Sequence, residues 1–137
     1  MKKVHARRLL KLADFLDTLS EDRFDFGTWV GCGWEPGEDL VSCGTTACAL
    51  GWATAIPEFQ KLGLRMKRAP DGWNHPGIAR HRGDADRQSE RASEVVFGLS
   101  PKEHDFLFQP GFALHSTATK AQVAKHIRKF VAERCPT

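Results

Sequence analysis

The stretch from Ser42 to Ile56, SCGTTACALGWATAI, constrains the fold more than any other part of the chain. It places small or apolar residues on every side of a helix, and a helix without a polar face is normally buried. Gly51 in mid-helix costs roughly 1 kcal/mol relative to alanine, which predicts a neighbour packed closely against it. A leucine at this position is therefore expected to overpack the core. Pro57 disfavours helical geometry in the residue before it and is expected to end the helix.

Two threonines compete for the start of this central helix. Either Thr45 or Thr46 can cap it, because a threonine hydroxyl accepts a hydrogen bond from a backbone N–H group of the first turn. In both cases Cys48, Trp52 and Ile56 follow one another at one-turn intervals and share a face. We therefore expect the thiol of Cys48 to be packed under Trp52.

Amphipathic spacing predicts further helices on both sides of the central stretch. They cover residues 4–19, residues from Asp84 or Asp86 to Gly98, a segment capped by Ser100, and a last segment capped by Thr117 or Thr119. Gly98 suits a left-handed helix end, and Ser100-Pro101-Lys102-Glu103 has the pattern of a capping box. The expected fold class is mainly α. We predict a compact single domain, residues 1–137, with four to five helices, long irregular loops and room for one short β-hairpin.

The middle of the chain gives weaker structural signals. Leu62, Leu64 and Met66 alternate with other residue types, which is strand periodicity, but the sequence identifies no partner strand. The segment Ala69–Gly83 is rich in proline, glycine, histidine and arginine. It is therefore expected to form a long loop.

Side-chain burial can be assigned in two further segments. The aromatic side chains of residues 24–29 are expected to fill the core beside the central helix, with an aromatic platform for a ligand as the alternative. In the segment that follows the capping box, Phe106 and Leu107 are expected to face inward. We expect His104 and Asp105 to be exposed positions of the same helix.

Charge is strongly segregated along the chain, whose net charge is +3. Residues 1–13 carry five basic groups and no acid, whereas residues 14–39 carry eight acids and one arginine. Residues 61–91 carry eight basic and four acidic groups, and residues 118–137 carry five basic groups and one acid. Such blocks either mark an acidic or nucleic-acid partner or neutralise each other in the fold. We expect mutual neutralisation where the blocks adjoin.

The sequence also bears on location. No apolar run approaches the roughly 20 residues that a membrane helix needs. Lys11, Asp14 and Asp17 interrupt the leucines after the basic N-terminal residues, so no signal peptide is expected. We predict a cytoplasmic protein without a membrane partner, whose four cysteines are thiols or metal ligands rather than disulfides.

Catalysis by Cys48 is an alternative to its packing role. If Thr45 is the cap, Cys48 lies in the first turn, where the helix dipole and free N–H groups favour a thiolate. A thiol-dependent hydrolase or transferase would also need a histidine base. No spacing selects among the candidate bases, because such partners are adjacent only in space. The candidates are His75, His81, His104 and His115.

A zinc site is the alternative to a chain without a cofactor. Cys32, Cys43 and Cys48 would supply three ligands, with Cys135 or a histidine as the fourth. The spacing C-x10-C-x4-C contains no second close pair of cysteines. The sequence therefore favours no cofactor and keeps zinc as an open alternative.

The basic segment 61–91 is the candidate binding surface. Trp73 and His75 are available to stack on bases, and the arginine and lysine side chains of the segment can contact phosphates. No helix-turn-helix or other named nucleic-acid module is evident. The candidate binding residues are Arg65, Lys67, Arg68, Trp73, His75, Arg80 and Arg82.

Three motifs follow the N-terminal leucine-rich helix. Residues 24–29 have the form F-D-x-x-x-W, and residues 43–52 have the form C-G-T-x-x-C-x-x-G-W. Residues 97–103 have the form F-G-L-S-x-x-E and lead to Leu107-Phe108. In these motifs, over roughly residues 5–110, the chain resembles a family of small uncharacterised proteins encoded by bacteria and their phages. The resemblance implies a phage or mobile-element setting and assigns no activity and no site.

The expected function is that of a small non-enzymatic binding or regulatory protein of this phage or bacterial mobile-element type. It would modulate a host macromolecule, either a host protein or a protein–nucleic-acid complex. Direct binding of nucleic acid through the basic segment is one alternative. Thiol chemistry at Cys48 is the other.

Overall fold

Six α-helices, one short 3-10 helix (Glu21–Arg23) and one antiparallel hairpin make up the regular structure of the described residues. The computed structural model describes residues 1–31, 34–41, 45–70, 72–81 and 85–135, and of Ala85 and Asp86 it describes the backbone only. The elements are α1 (Lys3–Thr18), α2 (Ala49–Ala53), α3 (Pro57–Gln60), β1 (Leu64–Arg68), β2 (Asn74–Ile78), α4 (Ala85–Phe97), α5 (Pro101–Phe108) and α6 (Lys120–Arg134). The mainly α class and the hairpin are confirmed, and the count exceeds the expected four to five because α3 forms a separate turn. None of these helices is both long and apolar enough to cross a membrane.

Helices α1, α4 and α6 enclose the core around the short α2. Helix α1 packs against α6 on one side and against α4 on the other. Its face of Leu9, Leu12 and Leu16 is completely buried. Phe97 at the end of α4 connects this helix to α3, since its ring packs edge-on against that of Phe59, with ring centroids 5.4 Å apart. One contiguous apolar core therefore joins all six helices.

The central stretch is buried as predicted, but its helix begins later. Neither Thr45 nor Thr46 caps α2, so that prediction is wrong. The cap is Cys48, whose Sγ accepts a hydrogen bond from the N–H of Gly51 at 3.4 Å. Helix α2 ends at Ala53, before the predicted stop, and Pro57 instead begins α3.

Backbone pairing explains the late start of α2. The residues before the helix are extended and bond to the segment 23–31. The N–H of Cys48 donates to the carbonyl oxygen of Thr28 at 2.7 Å, and the N–H of Gly31 donates to that of Thr46 at 2.7 Å. Buried backbone groups must be paired, and these are already satisfied outside a helix. A non-local contact has therefore overridden a local capping signal.

The expected close neighbour of Gly51 is the backbone of Trp29. A Cβ atom at position 51 would lie 1.9 Å from the carbonyl oxygen of Trp29. No real side chain can be accommodated at that distance unless the backbone moves. Gly51 is thus required by a close approach of two chain segments, and its burial is confirmed.

The strand partner that the sequence did not identify lies in the predicted loop. Strand β1 pairs antiparallel with β2, with Leu64 opposite Ile78 and Met66 opposite Pro76. The loop prediction is therefore wrong over residues 74–78. Proline within this run argued against a strand, but both strands of a two-stranded sheet are edges, where a missing N–H group is tolerated.

Helix α5 turns a different face to the core from the one expected. His104 is only 1% exposed, whereas Phe106 is 41% exposed, so both predictions are wrong. Leu107 is buried as expected, and Phe108 takes the second inward position. The buried imidazole is compensated by its neighbour, because His104 Nδ1 lies 2.6 Å from the hydroxyl of Ser93 on α4.

The predicted helix ends are confirmed at three places. Gly98 adopts a positive φ of 65° directly after α4. Ser100 and Glu103 form the reciprocal bonds of the predicted capping box. Thr119 caps α6 and forms a second capping box with Gln122. These signals are local in sequence and need no distant partner.

Neighbouring charge blocks neutralise each other, as expected. Arg128 of α6 contacts the carboxylates of Asp14 and Asp17 on α1, at 2.8 and 2.6 Å. Arg7 of α1 donates to Glu58 of α3 at 2.8 Å. Hydrogen bonds from Arg7 and Lys11 lower the pKa of Glu58 to about 2. Surface pairs of this kind stabilise little by themselves, but they engage Arg7 and Lys11 of the first block and Arg128 of the last.

We expect Gly51→Ala to lower the free energy of unfolding by about 1–3 kcal/mol, because the methyl group would collide with a backbone carbonyl. Gly51→Leu should cost more. Urea denaturation measures both changes. The control is Gly27→Ala, since a Cβ at position 27 meets nothing closer than 3.5 Å. Equal denaturation midpoints for the two alanine variants would show that Trp29 does not press on α2.

Candidate functional site

The register of the hairpin shows which of the predicted basic residues share a face of the sheet. Residues directly opposite each other in an antiparallel pair lie on the same face of the sheet. Lys67 is opposite His75, and Arg65 is opposite Gly77. This face is turned toward α4, because a Cβ at Gly77 would lie 3.0 Å from the side chain of Gln88.

Lys67 fastens the hairpin to α4. Its ammonium group donates to the carbonyl oxygen of Ile78 at 3.0 Å and to the side-chain oxygen of Gln88 at 3.3 Å. It also donates to the carbonyl oxygen of His81, which accepts a second bond, of 2.9 Å, from the Gln88 amide. Lys67 was predicted to contact a partner, but in this arrangement it primarily positions the residues around it.

A cluster of cations surrounds this junction, and we call it the basic face. It consists of Lys67, Arg68, Arg80, Arg87 and Arg91. These side chains line two adjoining pockets of about 470 and 390 Å³, which share His81 and Gln88 as common walls. The four arginines are exposed, and two of them, Arg87 and Arg91, lie one turn apart on α4. Arg87 and Arg91 were not among the predicted binding residues, because all of those lie before the helix.

The remaining predicted cations are partly engaged. Arg65 donates to the carbonyl oxygen of Gln60 at 2.7 Å, at the end of α3 and away from the basic face. Arg68 donates to the side-chain oxygen of Asn74 at 3.1 Å and forms an ion pair with Glu35 at 3.1 Å. Arg82 lies outside the described residues.

The two predicted stacking residues differ completely in exposure. Trp73, in the turn of the hairpin, is 70% exposed, whereas His75 is 1% exposed. The imidazole of His75 packs edge-on against the indole of Trp29, with ring centroids 6.2 Å apart. His75 is therefore a core contact that also lines the smaller pocket of the basic face, and its burial disfavours the predicted stacking on a partner.

Trp73 forms one wall of a cleft that the sequence did not reveal. This aromatic cleft has a volume of about 300 Å³. Trp29 contributes a second indole, Asn74 and Gln109 contribute carboxamides, and Pro110 contributes an apolar edge. The F-D-x-x-x-W segment was a usable signal for it, but the other walls come from distant parts of the chain.

Cys48 has the surroundings of a packed thiol. It is 2% exposed, and burial raises its pKa to about 11. A nucleophilic cysteine needs the opposite shift and access to solvent. Among the described residues, its sulfur accepts a hydrogen bond from the N–H of Gly51.

The candidate histidine bases are occupied in other parts of the fold. His75 packs on Trp29, and His104 bonds to Ser93. His115 Nδ1 lies 3.0 Å from the hydroxyl of Thr117, in the loop before α6. His81 lines the basic face. The geometry therefore favours a structural role for Cys48 over the hydrolase or transferase alternative.

The zinc alternative falls largely outside the described residues, because Cys32 and Cys43 lie there. Cys48 is buried at the start of α2. Cys135 follows α6 and its thiol donates to the carbonyl oxygen of Met1 at 3.4 Å. Within the described ranges no three histidine, cysteine or acidic side chains form a group that could hold a metal ion.

Comparisons of the chain with protein-family models, with curated proteins and with solved structures find no match. The basic face and the aromatic cleft are therefore the features of the molecule that bear on its function.

We expect Cys48 to react slowly with iodoacetamide in the native state at neutral pH, because its thiol is buried and its pKa is raised. Half-buried Cys135 is the internal control and should be alkylated faster. Mass spectrometry of peptides locates the modification, and guanidinium should abolish the difference. Fast labelling of Cys48 without denaturant would restore the nucleophile hypothesis.

Proposed function

We propose that this chain is a non-enzymatic binding module of phage or bacterial mobile-element type, which attaches in the cytoplasm to a host macromolecule through its basic face. The observation that carries the proposal is the convergence of Arg80, Arg87 and Arg91 on one pocket. Guanidinium groups are planar and present several donors in a fixed geometry that suits carboxylate and phosphate groups. Binding there would modulate the host macromolecule by occupying an anionic surface.

The distribution of charge supports an anionic partner. Residues 61–91 have eight basic groups against four acids, so the segment is positive with every acid included. Ion pairs occur in both regions, as Arg128 with Asp14 and Arg7 with Glu58 in the terminal blocks, and Arg68 with Glu35 and Arg91 with Glu94 at the basic face. Because several cations of the segment line the same two pockets, a negative partner would be attracted there, and this attraction would steer association.

The rigidity of the supporting elements adds to this argument. Arg87 and Arg91 project from α4, and Arg80 directly follows β2. The bonds from Lys67 and Gln88 to the carbonyl oxygen of His81 hold these two elements together. A binding site on rigid elements pays less conformational entropy on association than one on a free loop.

The proposal is tested with fluorescently labelled heparin, a polyanion that carries no nucleobases. Fluorescence anisotropy measures its affinity for the protein at several salt concentrations. We expect the triple variant Arg80→Glu, Arg87→Glu, Arg91→Glu to bind heparin at least about tenfold more weakly and with a shallower salt dependence. The reason is that contacts between the arginines and the anionic groups of heparin are lost.

The matched control carries the same change of net charge at exposed positions elsewhere. It is the variant Lys102→Glu, Lys125→Glu, Lys129→Glu, on α5 and α6. A loss of less than about threefold is expected, since distant charges are screened within roughly 10 Å. If both variants lose affinity equally, attraction is a property of the whole chain and the basic face is not a site.

A further inference from the structure

The aromatic cleft adjoins the basic face, and Asn74 connects the two. It lines the cleft, and its side-chain oxygen accepts a hydrogen bond from Arg68 of the basic face at 3.1 Å. Arg68 and Asn74 are also opposite each other in the hairpin register. A ligand that fills the cleft would thus have its charged continuation next to Arg68.

The cleft is suited to a flat ring with polar edges. Trp73 lines the cleft and is 70% exposed, so its indole is accessible to a ring that stacks there. The second indole, from Trp29, gives the ring of a ligand another aromatic surface. Carboxamides such as those of Asn74 and Gln109 each offer a donor and an acceptor, which is the pattern that base edges require.

The size of the cleft limits what it can hold. Its volume of about 300 Å³ is at the lower end of ligand pockets, so it suits one ring of a larger ligand. A paired base is stacked inside its duplex and could not enter. An unpaired base can be splayed out and stacked on aromatic side chains while phosphates contact arginine or lysine.

We infer that the aromatic cleft binds an unpaired nucleobase, so that the anionic partner of the basic face is a single-stranded nucleic acid. The inference rests on the proposed function, because it names the class of macromolecule that the basic face receives. Trp73 supplies the stacking surface, the two carboxamides contact the base edge, and Arg68 with the neighbouring arginines contacts the phosphates.

The test compares three labelled ligands by fluorescence anisotropy. They are an oligothymidylate of about eight nucleotides, within the usual site size, an abasic strand of the same length, and a duplex. We expect the oligothymidylate to bind about tenfold more tightly than the abasic strand, as one stacked base would provide. The duplex should bind no better than the abasic strand.

Two aromatic variants identify the cleft as the cause. Trp73→Ala should reduce the affinity for oligothymidylate to that for the abasic strand, and should leave the abasic affinity unchanged. Because the side chain is 70% exposed, the melting temperature should hardly move. The matched control is Phe112→Ala, which removes a 66% exposed aromatic ring outside the cleft and should change neither affinity.

The outcomes separate this inference from the proposed function. Equal binding of oligothymidylate and the abasic strand, both lost in the triple arginine variant, would overturn the cleft and leave the basic face intact. Quenching of tryptophan fluorescence by a proline-rich peptide but not by oligothymidylate would likewise assign the cleft to another ligand. Failure of every strand and of heparin to bind would overturn both.

Discussion

The contact between the carbonyl oxygen of Trp29 and Gly51 is the constraint on which most of this structure depends. The two segments approach so closely that no side chain fits at position 51. Backbone hydrogen bonds around the contact, such as the one from Cys48 to Thr28, move the cap of the helix from the predicted Thr45 or Thr46 to Cys48. Arg23 completes the unit, because it donates to the carbonyl oxygen of Thr45 and its own carbonyl oxygen accepts from the indole of Trp52. Burial of the Cys48 thiol is a consequence of this packing and needs no catalytic explanation.

The same contact links the core to the candidate site. The backbone of Trp29 presses on α2, while its indole packs against His75 of β2 and lines the aromatic cleft. The position of the hairpin, and with it that of Trp73 and Asn74, is therefore coupled to the most tightly packed part of the protein. A site assembled in this way is pre-organised, so little ordering remains to be done when a ligand binds.

The parts that the sequence predicted correctly are those determined by neighbouring residues. The capping box at Ser100, the glycine end of α4 and the apolar face of α6 depend on residues within one or two turns. Strand β2 depends on its pairing with β1 across residues 69–73, and the cap at Cys48 and the burial of His75 depend on contacts with Thr28 and Trp29, which local propensity does not register. The basic segment was recognised by charge alone, but charge does not show where each of its cations lies in the fold. The cleft was missed because its walls come from three separated segments.

The cations of this chain divide into two groups, and the division argues for where binding energy originates. Arg7, Lys11 and Arg128 face carboxylates, and the pKa of Glu58 is low enough that this carboxylate stays ionised far below neutral pH. A partner would have to displace these acids before gaining any attraction. At the basic face the ammonium of Lys67 is bonded to backbone and amide oxygens, so its positive charge is held there by the fold itself. Two arginines around this fixed charge have acidic partners of their own at exposed positions, Arg68 with Glu35 and Arg91 with Glu94, and exposed pairs of this kind stabilise little. An anionic group in these pockets would lie near several cations at once and could accept hydrogen bonds from planar guanidinium groups, which is the physical basis on which we propose the basic face as the binding surface.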